Sequence, residues 1–148
     1  MLVARLVEIF RAAAEDQDAA FRYGLETDAA LDTVDRDPDN MYIFVEASGD
    51  IRASLDGNTE DWTVSVTILK QDTADSDSEE ERRRGSPQSR EKLLEESLAS
   101  LRSLIAYIND TYLGEAAILG YTATPVYRVF ALASGLTSTL TVSVYPEC

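Results

Sequence analysis

Between Met41 and Gln71 apolar residues recur at every second position on either side of Asp56-Gly57. That dipeptide favours a two-residue type I′ hairpin turn, so the stretch is expected to fold back on itself there. Folding about the pair places Val45 opposite Ile68, Ala47 opposite Val66 and Ile51 opposite Trp62. Met41, Ile43, Val45, Ile51 and Leu55 then share a face with Trp62, Val64, Val66 and Ile68. The second strand turns Thr63, Ser65 and Thr67 the other way, towards solvent or a polar contact. A slip of one residue would put the apolar set on the wrong side, so the pattern predicts a sheet with one buried face.

Elsewhere the period changes to that of a helix. Leu2, Leu6, Ile9, Phe10 and Ala13 form a stripe widened by Val3 and Val7, with Arg5, Glu8 and Arg11 turned away. This predicts a first helix over residues 2–15. Leu94, Leu98, Leu101, Ile105 and Ile108, flanked by Leu93, Leu104 and Tyr112, predict a second and longer helix. It starts at Ser86-Pro87, an N-cap followed by proline in the first helical position, and stops at Gly114. In the segment 16–40, Phe21, Tyr23 and Leu25 alternate with Arg22, Gly24 and Glu26, which suits a short strand or an extended loop.

Near the C-terminus Leu140, Val142 and Val144 alternate with Thr139, Thr141 and Ser143. With Ser134-Gly135 as the turn, Val129 faces Leu140 and Tyr127 faces Val142. The expected order is helix, hairpin, acidic loop, helix, hairpin. This is a single α+β domain of two layers, an antiparallel sheet built from two hairpins with two helices packed on one face. The acidic loop covers residues 72–88 and is solvated, with six acids between Gln71 and Glu81 followed by Arg82, Arg83 and Arg84.

Charge adds a constraint that the pattern does not show. Asp and Glu number 27 against 13 Lys and Arg, a net charge of −14, and only Lys70 and Lys92 are lysines. No basic face can be assembled for nucleic-acid binding. Abundant aspartate with scarce lysine is the composition of proteins adapted to molar salt, where a Debye length of about 3 Å screens self-repulsion. No apolar run approaches the roughly 20 residues of a membrane span, and a soluble protein is expected. Cys148 is the only cysteine, so no internal disulfide forms.

Candidate chemistry is sparse. The chain has no histidine, which removes Ser-His and Cys-His nucleophilic systems and imidazole metal sites. Asp35, Asp37, Asp39 and Glu46 follow the spacing of a calcium loop, with Asn40 where glycine is expected. Pro38 and the strand-like run that follows favour an acidic turn entering a strand, and no metal or other cofactor is expected. Glu46 has apolar neighbours along its strand and is expected on the exposed face. The glycines are scattered singly, so no phosphate loop is present. These observations point away from an enzyme. The Thr/Ser face of Thr63, Ser65, Thr67, Thr137, Thr139, Thr141 and Ser143 is either plain solvent-exposed sheet or a surface for subunit pairing.

The leading helix LVARLVEIFRAA is followed by the strand MYIFVEAS behind an acidic, proline-containing turn. DWTVSVTIL, a charged loop, the long helix EKLLEESLASLRSLIAYI and a closing strand pair complete the chain. As an order of elements this resembles the tail-terminator and tail-completion proteins of tailed viruses. The resemblance implies a virion neck protein that forms a ring, usually of six subunits, between tail tube and head connector, with a channel through which DNA passes without specific binding. It implies the tail tube and neck proteins as partners, and the salt-adapted composition implies a virus of a halophilic archaeon. Asp72, Asp75, Asp77, Glu79, Arg82, Arg83 and Arg84 would then order against a neighbouring subunit or the tube. The alternative is a small acidic adaptor or binding module of a halophilic cell.

Overall fold

The computed structural model describes residues 3–24, 41–53, 59–71, 87–126 and 133–145. Among the described residues two helices, α1 (Val3–Asp16) and α2 (Pro87–Thr111), accompany six strands. The strands are β1 (Ala20–Tyr23), β2 (Met41–Ala47), β3 (Arg52–Ala53), β4 (Glu60–Gln71), β5 (Ala116–Val126) and β6 (Ala133–Val144). They make one sheet in the order β1-β2-β4-β6-β5, with β3 pairing the start of β4. The fold is α+β and mostly antiparallel. One pair departs from the expected antiparallel arrangement, because β1 lies parallel to β2, Phe21 opposite Ile43.

The first hairpin has the expected faces and a different register. Val45 pairs with Val66 and Ala47 with Val64, two residues away from the register set by Asp56-Gly57. β3 keeps that register, Arg52 opposite Asp61. The difference is taken up by Ser48 to Ile51, which lie opposite Trp62 and Thr63. Gly49 sits in this irregular segment at a φ of 76°, where a left-handed backbone carries no Cβ penalty. Because side chains alternate with period two, an even slip leaves every side chain on its intended face. Ile51 is the exception: it belongs to the bulged segment and is exposed. Residues 54–58, with the Asp56-Gly57 turn, are outside the described set.

The second hairpin does not turn at Ser134-Gly135. Both residues belong to β6, where Gly135 pairs with Val126 on one side and Leu69 on the other. Leu140 therefore faces Tyr121 and Val142 faces Ile118, and the connection falls at 127–132. A glycine after a small polar residue signals a turn only where the backbone needs one. Here the need is for space, since a Cβ at Gly135 would overlap the carbonyl oxygen of Ile68 and press on Ser97 Oγ. The alternation of β6 is as expected, with Leu136, Leu140, Val142 and Val144 buried and Thr139 and Thr141 exposed.

Both helices pack on the same face of the sheet. Leu6, Ile9, Phe10 and Ala13 of α1 join Ile43, Val45, Val64, Val66 and Ile68 in one core. Each buried Leu, Ile, Val or Phe of this set contributes about 1.5–3 kcal/mol on burial. α2 supplies Leu101, Leu104 and Ile108. Its buried line runs Leu93, Ser97, Leu101, Leu104, Ile108, while Leu94, Leu98 and Ile105 sit at its margin. The expected stripe is thus rotated, because the small Ser97 lies against β6 and the small Ser100 is buried beside Gln17, to whose Oε1 its hydroxyl donates at 2.8 Å. Pro87 and Gln88 belong to α2 rather than to the acidic loop. A second cluster, Tyr42, Phe44 and Leu69, lies on the opposite side of the sheet, so β2 buries both its faces rather than one. The Tyr42 and Phe44 rings stack with centroids 6.4 Å apart.

Candidate interaction surface

The sheet face turned away from the helices carries the Thr/Ser array. Cross-strand pairing sets it out in rows: Glu46–Ser65–Thr139–Thr122 and Phe44–Thr67–Thr137–Thr124, with Thr63 opposite Thr141 beside them. The hydroxyls satisfy one another in part. Ser48 and Ser65 Oγ atoms stand 2.8 Å apart, and Thr67 and Thr137 Oγ1 atoms 3.3 Å apart. Cross-strand hydroxyl pairs of this kind favour the antiparallel register modestly.

Two shallow depressions interrupt the face. One, of about 180 Å³, is lined by Phe44, Glu46, Ser65, Thr67 and Thr137. The other, of about 310 Å³, is lined by Asp50, Arg52, Asp61, Thr63 and Thr141. Glu46 is exposed on β2, the expected place. It belongs to a strand and not to a calcium-loop helix, and Asp35, Asp37 and Asp39 are outside the described residues. Among the described residues no group of three His, Cys, Asp or Glu side chains is placed to hold a metal ion. Over β5 and β6 the face offers hydroxyl donors and acceptors without charge, which suits contact with another surface, while Glu46, Asp50, Arg52 and Asp61 lie on its β2–β4 side.

The charge itself is unevenly placed. β5 and β6 contain no Asp, Glu, Lys or Arg, whereas β1 carries Arg22, β2 Glu46, β3 Arg52 and β4 Glu60, Asp61 and Lys70. The absence of charge from Ala116 to Tyr127 is the signal by which β5 stands out in the sequence. Placing the turn at Ser134-Gly135 hides it. From Leu119 to Pro125 β5 is exposed on both faces. At the near end of β5, Asn109 closes the edge: its Oδ1 accepts from Ile118 N–H at 2.7 Å, and its Nδ2 donates to the Ile118 carbonyl at 3.3 Å.

α1 is tied to the turn before β5 by a forked ion pair. Arg5 Nε donates to Glu115 Oε1 at 2.6 Å and Nη2 to Oε2 at 3.0 Å, while Nη1 reaches Glu8 at 3.1 Å. The Arg5 hydrogen bonds hold the Glu115 carboxyl below its usual range, and the two carboxylates raise the guanidinium further above its own. Arg5 also lies 5.5 Å from the Tyr112 ring centroid. Burial pushes the Tyr112 hydroxyl up. These groups brace the fold and carry no reactive nucleophile.

Asp72, Asp75, Asp77, Glu79, Arg82, Arg83 and Arg84, expected at a subunit or partner contact, are outside the described residues. Among those described, no helix is long and apolar enough to cross a membrane. Comparison with protein families and with curated proteins finds no match to this chain.

Proposed function

We propose that this protein is a structural, self-assembling component of a tailed virus, a tail terminator that forms a ring between tail tube and head connector and leaves a channel for DNA. The observation that carries the reading is the segregation of charge. A chain of net charge −14 has two long neighbouring strands with no charged residue and a hydroxyl-lined outer face. Copies of so acidic a chain repel one another except where charge is absent, and the β5–β6 part of the outer face supplies such a place for subunit contact. The acidic remainder suits a channel wall that DNA slides past, the inverse of counterion-release binding. The order of elements adds the likeness to neck proteins, and the role proposed is not enzymatic.

Solution mass by size exclusion with light scattering, in molar potassium chloride and in dilute buffer, tests this. The expected result is an assembly several times the 16.3 kDa chain mass in salt, which dissociates or unfolds when salt is removed. Aspartates introduced at Thr139 and Thr141, both exposed on the outer face, should break the assembly while leaving the circular dichroism unchanged. A stable monomer under both conditions would replace the ring with the small acidic binding module of a halophilic cell.

A further inference from the structure

The two edges of the sheet are built differently. β1 is a short edge of four residues with an exposed charge, Arg22. Shortness and charge are the ordinary means of keeping an edge from pairing with another chain. β5 has eleven residues, no charge, and two exposed faces over most of its length. Its protections are local. Asn109 covers Ile118, a bulge places Leu119 and Gly120 opposite Thr141, and Pro125 lies near the far end.

Between these, among the described residues, the edge is open, and its backbone groups alternate in direction. Proline has no N–H, so Pro125 fits where that group would point away from β6. The Thr122 carbonyl points the other way, towards β6, and accepts from Ser138 Oγ at 2.5 Å. Ile118, whose N–H and carbonyl both turn outward to Asn109, pairs with Val142, and Tyr121 pairs with Leu140 two residues along. Tyr121 and Ala123 therefore present N–H and carbonyl outward, and Pro125 presents its carbonyl.

We propose that the open edge of β5, from Tyr121 to Pro125, pairs antiparallel with the same strand of a second copy of this chain about a two-fold axis at Ala123. The charge pattern selects that occupant. An uncharged edge in an acidic protein fits an uncharged strand, and the only other uncharged strand among those described, β6, is already paired on both sides. The sequence is also complementary to itself in this register. Tyr121 comes opposite Pro125 of the second copy, Ala123 opposite Ala123, and Thr122 opposite Thr124. Tyr121, which is 43% exposed, gains a proline ring to cover. The hydroxyl rows of the outer face run on into the second sheet. About four backbone hydrogen bonds form, since each Pro125 forfeits one donor. A two-fold contact differs from the one-directional contact that links neighbours in a ring. The pairing therefore goes beyond the ring reading and is separable from it.

The test uses the full chain in molar potassium chloride. Ala123→Pro removes an outward N–H that β6 does not use, so the internal ladder and the unfolding midpoint are retained. The expected result is that the wild type contains a dimer contact which Ala123→Pro abolishes, halving the mass. Ala123→Cys, made with Cys148→Ser, should form a disulfide-linked dimer on mild oxidation. A wild-type mass that Ala123→Pro leaves unchanged, with no disulfide from Ala123→Cys, overturns the pairing. If that unchanged mass is several times the chain mass, the ring reading survives alone. A wild-type dimer lost in Ala123→Pro, with nothing larger, upholds the pairing and removes the ring.

Discussion

Arg5 and Glu115, 110 positions apart in the chain, are joined by two hydrogen bonds of 2.6 and 3.0 Å. The pair fastens α1 to the turn that delivers the chain from α2 into β5. It is partly exposed, so its net contribution is about 0.5–1 kcal/mol and falls with salt.

A pH dependence follows from that pair. The Arg5 hydrogen bonds depress the Glu115 pKa in the folded state. A depressed carboxylate contributes stability above its unfolded pKa, about 4.3, and loses it as pH falls through the folded value. Glu115→Gln should therefore be less stable than wild type at pH 7, with the difference shrinking as pH falls below about 4.3 and vanishing only below the depressed folded value. Urea midpoints at fixed ionic strength measure this, and a constant difference at all pH values would contradict it.

Gly135 should tolerate no side chain. A Cβ there meets the Ile68 backbone, which cannot yield without breaking the β4–β6 ladder. Gly135→Ala should cost about 2–4 kcal/mol or prevent folding. An unchanged thermal midpoint would contradict the close approach of Gly135 to the Ile68 carbonyl.

Ser97 is fully buried against the sheet, and its hydroxyl has no hydrogen-bond partner among the described residues. A buried unsatisfied hydroxyl costs about 1–3 kcal/mol. Ser97→Ala should accordingly raise stability by about 1 kcal/mol. A loss of similar size in denaturant titration would mean that the hydroxyl has a partner.

The rotation of α2 can be measured by truncation. Leu104→Ala removes a side chain with no exposure and should cost about 2–4 kcal/mol. Leu94→Ala, at the margin of the stripe, should cost about half as much. Equal losses would place both on the buried line.

Salt should act on the whole molecule. With a net charge of −14, raising potassium chloride from about 0.01 M to 1 M shortens the Debye length from about 30 to 3 Å. The thermal midpoint should rise across that range. A midpoint independent of salt would remove the argument from salt adaptation.

Local pattern determined much of this protein. The helix period of α1 and α2, the alternation of β4 and β6, and the outward Thr/Ser face are properties of spacing, and side chains one period apart share a face wherever the element goes. The register of the first hairpin was legible only in part. Alternation is unchanged by a slip of two residues, so nothing in the pattern separates Val45 opposite Ile68 from Val45 opposite Val66. Gly135 misled for a related reason: glycine serves a turn and a close approach equally well, and only the neighbouring Ile68 carbonyl tells which. Ser97 and Ser100 hid the centre of the α2 stripe because small polar residues carry no hydrophobic signal. The candidate surface was half visible. The β6 hydroxyls were evident, but the open β5 edge depends on which strand lies last in the sheet. That order, the parallel β1 and the joining of Arg5 to Glu115 come from contacts between residues far apart in sequence, which the assembled core alone decides.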